Sequence, residues 1–190
     1  MGIICFPVTI GWTGESLGLL VEAARTNLLV RSEELNTTWS QLRSSVSVDQ
    51  IVAPDGTVTA DKIVEDNTNN THLVEQVPSY TSGTVYTYSA FIKAAERDSV
   101  MLQFGGAAFP ANPYARFDLS DGSLILLGSG ADSYDIQPFP GGWYRLSVTA
   151  TADATSTAGS GIFVMNGTST SYLGDGSSGL YAWGNRGRFG

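Results

Sequence analysis

The chain has 190 residues, 42% of them hydrophobic and 15% charged, a composition that fits one globular domain with a single core. Its net charge of −8 and the scattering of its ten Lys and Arg residues argue against a nucleic-acid partner, because a phosphate backbone is bound by clustered cations. No apolar run approaches the ~20 residues that span a bilayer, so membrane insertion is not expected either.

Residues 1–20 differ from the rest of the chain, because their apolar clusters lack strand-like alternation. Two interpretations remain open: an extended arm that packs on this domain or on a larger assembly, and a first edge strand followed by a loop. The segment lacks a basic start and is interrupted at Pro7, so no secretion signal is expected. Cys5 is the single cysteine, which excludes an internal disulfide. We expect residues 1–20 to form an N-terminal arm and residues 21–190 to form the folded domain.

The most regular strand pattern spans residues 84–94, where the side chains alternate between two faces. One face carries Tyr86, Tyr88, Ala90 and Ile92, and the other carries Val85, Thr87, Ser89, Phe91 and Lys93. Residues 100–104 are expected to form the next strand and to pair with this one across a short turn.

Turn signals and short strands continue toward the C-terminus. Asp121-Gly122, between the apolar residues 116–119 and 124–127, is the strongest hairpin signal in the chain. Three more strands are predicted at residues 143–151, 162–165 and 180–183. In total, nine or ten short strands separated by turns indicate an all-β sandwich or barrel.

A search for catalytic groups finds none in a recognised arrangement. His72 is the single histidine and lies in an Asn-rich segment, which predicts a solvated loop side chain. No phosphate-binding glycine loop and no nucleophile elbow occur. Carboxylates cluster at Asp61, Glu65 and Asp66, and such oxygen ligands leave a structural calcium ion open as a cofactor. We therefore predict that the protein is not an enzyme.

Several motifs occur in a consistent order along most of the chain. Residues 18–29 read GLLVEAARTNLL and are followed by Ser32-Glu33-Glu34 and Trp39. The later motifs are residues 53–57, 60–63, 86–89, 92–94, 115–119, 142–145 and 180–184. Together they resemble modules of bacteriophage tail, head-fibre and spike proteins. The resemblance implies an antiparallel β-sandwich of the jelly-roll type, similar to carbohydrate-binding domains, a location in the virion and no shared catalytic residues.

Members of that family usually continue beyond the terminal Trp-Gly motif, whereas this chain stops at residue 190. This difference leads us to expect that the N-terminal arm, residues 1–20, attaches the protein to other virion proteins. A homo-oligomer is also expected, because virions are symmetric assemblies.

Three functions remain open at this point. In the first, the sandwich binds a host-surface polysaccharide through Trp143, Arg145, Tyr181 and Trp183, because rings pack on sugar faces while polar groups hold the hydroxyls. Packing in the core is the alternative role for each of these aromatic side chains. The second function is that of a purely structural capsid or tail decoration protein without glycan binding. The third is that of an accessory module of a polysaccharide depolymerase.

Overall fold

The structure is a computed structural model that describes residues 27–189. The proposed arm at residues 1–20 lies outside these residues. They contain no helix, and so none that is long and apolar enough to cross a membrane. Their sixteen strands are β1 (Ser40–Leu42), β2 (Ser44–Val52), β3 (Val58–Glu65), β4 (Asn69–Asn70), β5 (His72–Gln76), β6 (Ser79–Tyr80), β7 (Val85–Ala94), β8 (Ser99–Phe104), β9 (Tyr114–Asp118), β10 (Ser123–Leu127), β11 (Ser133–Phe139), β12 (Trp143–Thr151), β13 (Ser156–Thr157), β14 (Ser160–Met165), β15 (Tyr172–Leu173) and β16 (Gly179–Phe189).

Two six-stranded antiparallel sheets contain most of these strands. Sheet I has the order β1-β5-β14-β8-β9-β10, and sheet II has the order β11-β12-β7-β16-β3-β2. The chain passes repeatedly between them, so that β3, β7, β12 and β16 are neighbours in sheet II while β5, β8, β9 and β14 are neighbours in sheet I. Eight strands distributed in this way form a jelly roll. The predicted all-β, antiparallel β-sandwich of the jelly-roll type is confirmed.

The main core lies between the two sheets and is built from the alternating apolar positions of their strands. The inward side chains of β7 are at most 1% exposed, and they are the predicted set of Tyr86, Tyr88, Ala90 and Ile92. Core residues from sheet I include Val100, Leu102, Phe104, Ile162 and Val164. Each large apolar side chain that is buried in this way stabilises the fold by roughly 1.5–3 kcal/mol. The alternation therefore fixes which face of sheet II points inward.

The sequence predicted the strand at residues 100–104 correctly but gave it the wrong partner. It forms β8, which pairs with β14 and β9 in sheet I, whereas β7 pairs with β12 and β16 in sheet II. The turn between β7 and β8 thus carries the chain from one sheet to the other. The predicted hairpin is confirmed, because β9 and β10 pair with Asp118 opposite Ser123, and Gly122 has a φ of 72° in the turn.

Candidate functional site

All four predicted site residues lie on the outer face of sheet II, which points away from the main core. Trp143 and Arg145 belong to β12, Tyr181 and Trp183 belong to β16, and β7 runs between these strands. In the strand register, Trp143 is aligned with Tyr181 across β7, and Arg145 is aligned with Trp183. Since neighbouring strands are ~4.8 Å apart, the four residues share a patch about 10 Å wide.

The two tryptophans of this patch are covered by the hairpin between β2 and β3. Trp143 is 3% exposed and Trp183 is 8% exposed, and both pack with Ala53 in a second hydrophobic cluster. The indole of Trp143 donates a hydrogen bond to the Val52 carbonyl at 3.3 Å, and that of Trp183 donates to the Thr59 hydroxyl at 3.1 Å. This burial excludes the predicted contact of either indole ring with a sugar, so for these two side chains core packing is the correct interpretation.

Arg145 and Tyr181 are half-buried, and Arg145 adjoins a polar part of the same face. One Nη of Arg145 lies 3.4 Å from the hydroxyl of Ser89, to which it donates a hydrogen bond. Two residues from the partner of Arg145 on β7, Ser89 is paired with Ser147 on one side and with Arg186 on the other. We name this group the arginine–hydroxyl zone, consisting of Ser89, Arg145, Ser147 and Arg186.

Arg186 reaches the outer face only because β16 contains a β-bulge. The pairing with β7 shifts by one residue between Trp183 and Arg186, and Gly184 in the bulge has a φ of 59°. Uninterrupted alternation would place Asn185 on the outer face. Instead, Asn185 is fully buried and donates through its side-chain amide to the Ser32 carbonyl, while Arg186 is exposed.

Beside the arginine–hydroxyl zone lies a group of aromatic rings with unequal exposure. The Phe91 ring is 4.9 Å from the Phe139 ring in an edge-to-face contact and 5.5 Å from Trp183, measured between centroids. Phe139 is 37% exposed and Phe91 is half-buried. Trp183 thus packs against Phe91, and Phe91 in turn contacts the partly exposed ring of Phe139.

Two of the clustered carboxylates, Asp61 and Glu65, accept several hydrogen bonds from groups within the fold. Asp61 is buried and accepts hydrogen bonds from the backbone N–H groups of Leu35 and Asp49. Burial raises the pKa of Asp61 above its ordinary value, although these hydrogen bonds oppose the shift. Glu33, Glu34, Asp49 and Asp61 help to line a cavity of about 390 Å³. Within residues 27–189, however, no three acidic or histidine side chains converge as metal ligands.

Glu65 forms the centre of a second buried network, at the C-terminal end of β3. Arg97 donates to both carboxylate oxygens, with its Nε at 2.8 Å, and the Tyr172 hydroxyl donates at 2.7 Å. The backbone N–H of Asp175 donates at 2.9 Å. Burial alone raises the pKa of Glu65, but these donors outweigh it and hold the pKa below its ordinary value. A carboxylate held by this many donors stabilises the fold and is not available as a catalytic base.

The prediction that His72 is a solvated loop residue is wrong. His72 lies on β5 and is fully buried, because the Asn-rich segment forms the short strand β4 just before it. Its Nδ1 lies 2.7 Å from the Arg43 carbonyl oxygen and its Nε2 lies 3.3 Å from that of Tyr172. The imidazole therefore connects three chain segments through their backbones, and this is a structural role.

The fold and this outer face define a jelly-roll β-sandwich with a polar and aromatic sheet surface. No protein-family model and no curated protein matches the chain. The resemblance to bacteriophage fibre and spike modules therefore remains a prediction from the sequence motifs.

Proposed function

We propose that this protein is a structural component of a virion, a fibre, spike or decoration protein, whose sandwich binds host-surface carbohydrate without catalysing a reaction. The motifs that resemble phage fibre and spike modules support the location, and the jelly roll provides a rigid sheet as the binding surface. In this proposal the N-terminal arm, residues 1–20, attaches the module to other virion proteins. Several copies in one particle would raise the avidity of weak sugar sites.

The observation that carries the proposal is the combination of groups on the outer face of sheet II. A sugar needs polar partners for its hydroxyls and a flat apolar surface for its C–H faces. Arg145 and Arg186 of the arginine–hydroxyl zone supply guanidinium groups on rigid strands, and Tyr181 and Phe139 supply partly exposed rings on the same face. Ser89 and Ser147 are themselves buried, at 4% and 7% exposed, so the polar groups that a ligand can reach in this zone are those of Arg145 and Arg186.

The test is binding of the labelled full-length protein to host cells and to an array of printed bacterial surface polysaccharides. Tyr181→Ala is expected to weaken binding by about threefold to tenfold, the effect of losing one ring contact. Tyr134→Ala is the matched control, because Tyr134 is 43% exposed on β11 and its ring contacts Phe117, a core residue. Equal binding by wild type and Tyr181→Ala contradicts the assigned face. Absence of binding to every polysaccharide and to host cells contradicts the proposed function.

A purely structural decoration role is the second candidate, and a different surface favours it. The β2–β3 hairpin carries three exposed valines. They are Val48 and Val52 on β2 and Val58 on β3, and each is between 40% and 56% exposed. Exposed apolar side chains on adjacent strands are typical of a contact with a neighbouring subunit. Under this candidate, Val52→Lys lowers the oligomer mass measured by light scattering and leaves the circular dichroism spectrum unchanged. An unchanged mass would contradict this interface.

A further inference from the structure

The cations of this acidic protein are concentrated on one surface. The chain has ten Lys and Arg residues against eighteen Asp and Glu residues. The strand register places five of the ten on the outer face of sheet II, namely Lys62, Lys93, Arg145, Arg186 and Arg188. The outward positions of β7, β12 and β16 contain no carboxylate. The outward side chains of these three central strands therefore carry a net positive charge on a protein whose net charge is −8.

Arg145 and Arg186 are among the cations of this face that have no carboxylate partner within the described residues. Within residues 27–189, neither Arg145 nor Arg186 is within 4.0 Å of an acidic oxygen. Lys62, in contrast, is neutralised by Glu96 at 2.7 Å. The contact of Arg145 with the Ser89 hydroxyl, at 3.4 Å, uses one of the five N–H groups of its guanidinium.

The spacing of the two arginines suits a polymer with repeated charges. Arg145 on β12 and Arg186 on β16 lie on either side of β7, and their partners on β7, Phe91 and Ser89, are two residues apart. Their backbones are therefore separated by about 10 Å across the sheet and about 7 Å along it. Ser89 lies on β7, the strand between them, and its side chain is buried. A guanidinium binds a carboxylate through two parallel hydrogen bonds, which gives both strength and orientation.

We infer that the ligand of this face is an acidic polysaccharide whose carboxylates are bound by Arg145 and Arg186. This inference rests on the proposed carbohydrate-binding function and specifies the class of sugar. The carboxylates on the β11 side of the face are Asp135, which is exposed, and Asp132, which accepts a hydrogen bond from Thr151. They limit the positive area to a narrow strip, which suits one chain of a polysaccharide and not a nucleic-acid duplex. At physiological salt, charges more than ~8 Å away are largely screened, so the strip outweighs the net negative charge locally.

The test uses polygalacturonate, alginate, hyaluronan and polysialic acid, each with and without chemical reduction of its carboxylates to alcohols. Dextran and mannan are neutral probes, and single-stranded poly-dT is an anionic probe without uronic acids. Binding to the full-length protein is measured by biolayer interferometry at two salt concentrations. We expect binding to one or more of the acidic polymers, loss of that binding after carboxyl reduction, and weaker binding at higher salt.

The variants Arg145→Gln and Arg186→Gln are each expected to weaken binding by about tenfold, the effect of losing one charge-assisted interaction. Arg116→Gln is the matched control, because Arg116 lies on β9 in sheet I and its side chain covers the Tyr114 ring. Equal binding to native and carboxyl-reduced polymers overturns the inference but leaves the proposed function standing. Binding to poly-dT that is as strong as binding to the acidic polysaccharides overturns the inference as well. Absence of binding to every polysaccharide overturns both.

Discussion

Arginine has contrasting surroundings in two regions of this sandwich. Arg97 lies against Glu65 in a network that also includes Tyr172 and Asp175, and the Glu65 side chain in it is fully buried. On the outer face of sheet II, Arg145 and Arg186 have no acidic partner among the described residues. A charge whose hydrogen bonds are satisfied within the fold stabilises it, whereas a charge without such partners remains available to a ligand. The comparison contrasts an arginine that stabilises the fold with two arginines that we propose for recognition.

The largest effect on stability is expected from Arg97→Leu. The change leaves the buried carboxylate of Glu65 without its charged partner, and breaking a buried pair in this way costs about 3 kcal/mol. The free energy of unfolding in urea measures it. Glu34→Gln is the control, because it breaks the exposed Arg31–Glu34 pair, in which both side chains are 54% exposed, and should cost less than ~0.5 kcal/mol. Similar losses in both variants would contradict the structural role of the buried pair.

The same network predicts a sensitivity to acid. The pKa of Glu65 is lower in the folded protein than its ordinary value of 4.5, so its contribution to stability is complete above about pH 5 and falls as the pH decreases through the lowered pKa. Asp61 and Glu75 act in the opposite direction, because burial raises the pKa of each. The difference between wild type and Tyr172→Phe isolates Glu65, since the variant removes one hydrogen bond to its carboxylate.

We expect Tyr172→Phe to be about 1 kcal/mol less stable at pH 7, with the difference shrinking toward pH 3. Urea unfolding at pH 7, 5, 4 and 3 provides the measurement. A difference that stays constant or grows as the pH falls would show that the tyrosine does not favour the ionised carboxylate.

The smallest effect on stability is expected for the two arginines of the outer face. Arg145→Gln and Arg186→Gln should each change the free energy of unfolding by less than ~0.5 kcal/mol, because neither breaks an ion pair within the described residues. Urea unfolding should show this in the same preparations that are used for binding. A loss above ~1 kcal/mol in either variant would assign that arginine to the fold, as for Arg97.

The alternation in the sequence predicted the faces of strands but not their partners. Tyr86 and Tyr88 point into the core as expected, because a period of two is sufficient to assign faces. It contains no information about which strand lies alongside, and this is why β8 was assigned to the wrong sheet. The edge strand β11 was not predicted although Ser133, Asp135 and Gln137 alternate with Tyr134 and Ile136, because Pro138 argues against a strand.

The candidate site was predicted in part. The sequence placed Trp143 and Trp183 correctly relative to their strands, but it did not show that the β2–β3 hairpin would cover them, because that contact joins distant segments. Arg186 could not be found by alternation, since the bulge beside Gly184 reverses the faces after it. Ser89 and Ser147 could have been found, because their strands alternate without interruption.

The most direct test of the proposed binding face is a two-dimensional NMR titration of the ¹⁵N-labelled full-length protein with an oligosaccharide of the acidic polymer that binds it. The account predicts chemical-shift changes at the backbone amides of Ser89, Arg145, Ser147 and Arg186, with the strands of sheet I unaffected. Changes confined to sheet I, or no change at any of these four amides at saturating oligosaccharide, would contradict the assignment of the outer face of sheet II as the recognition surface.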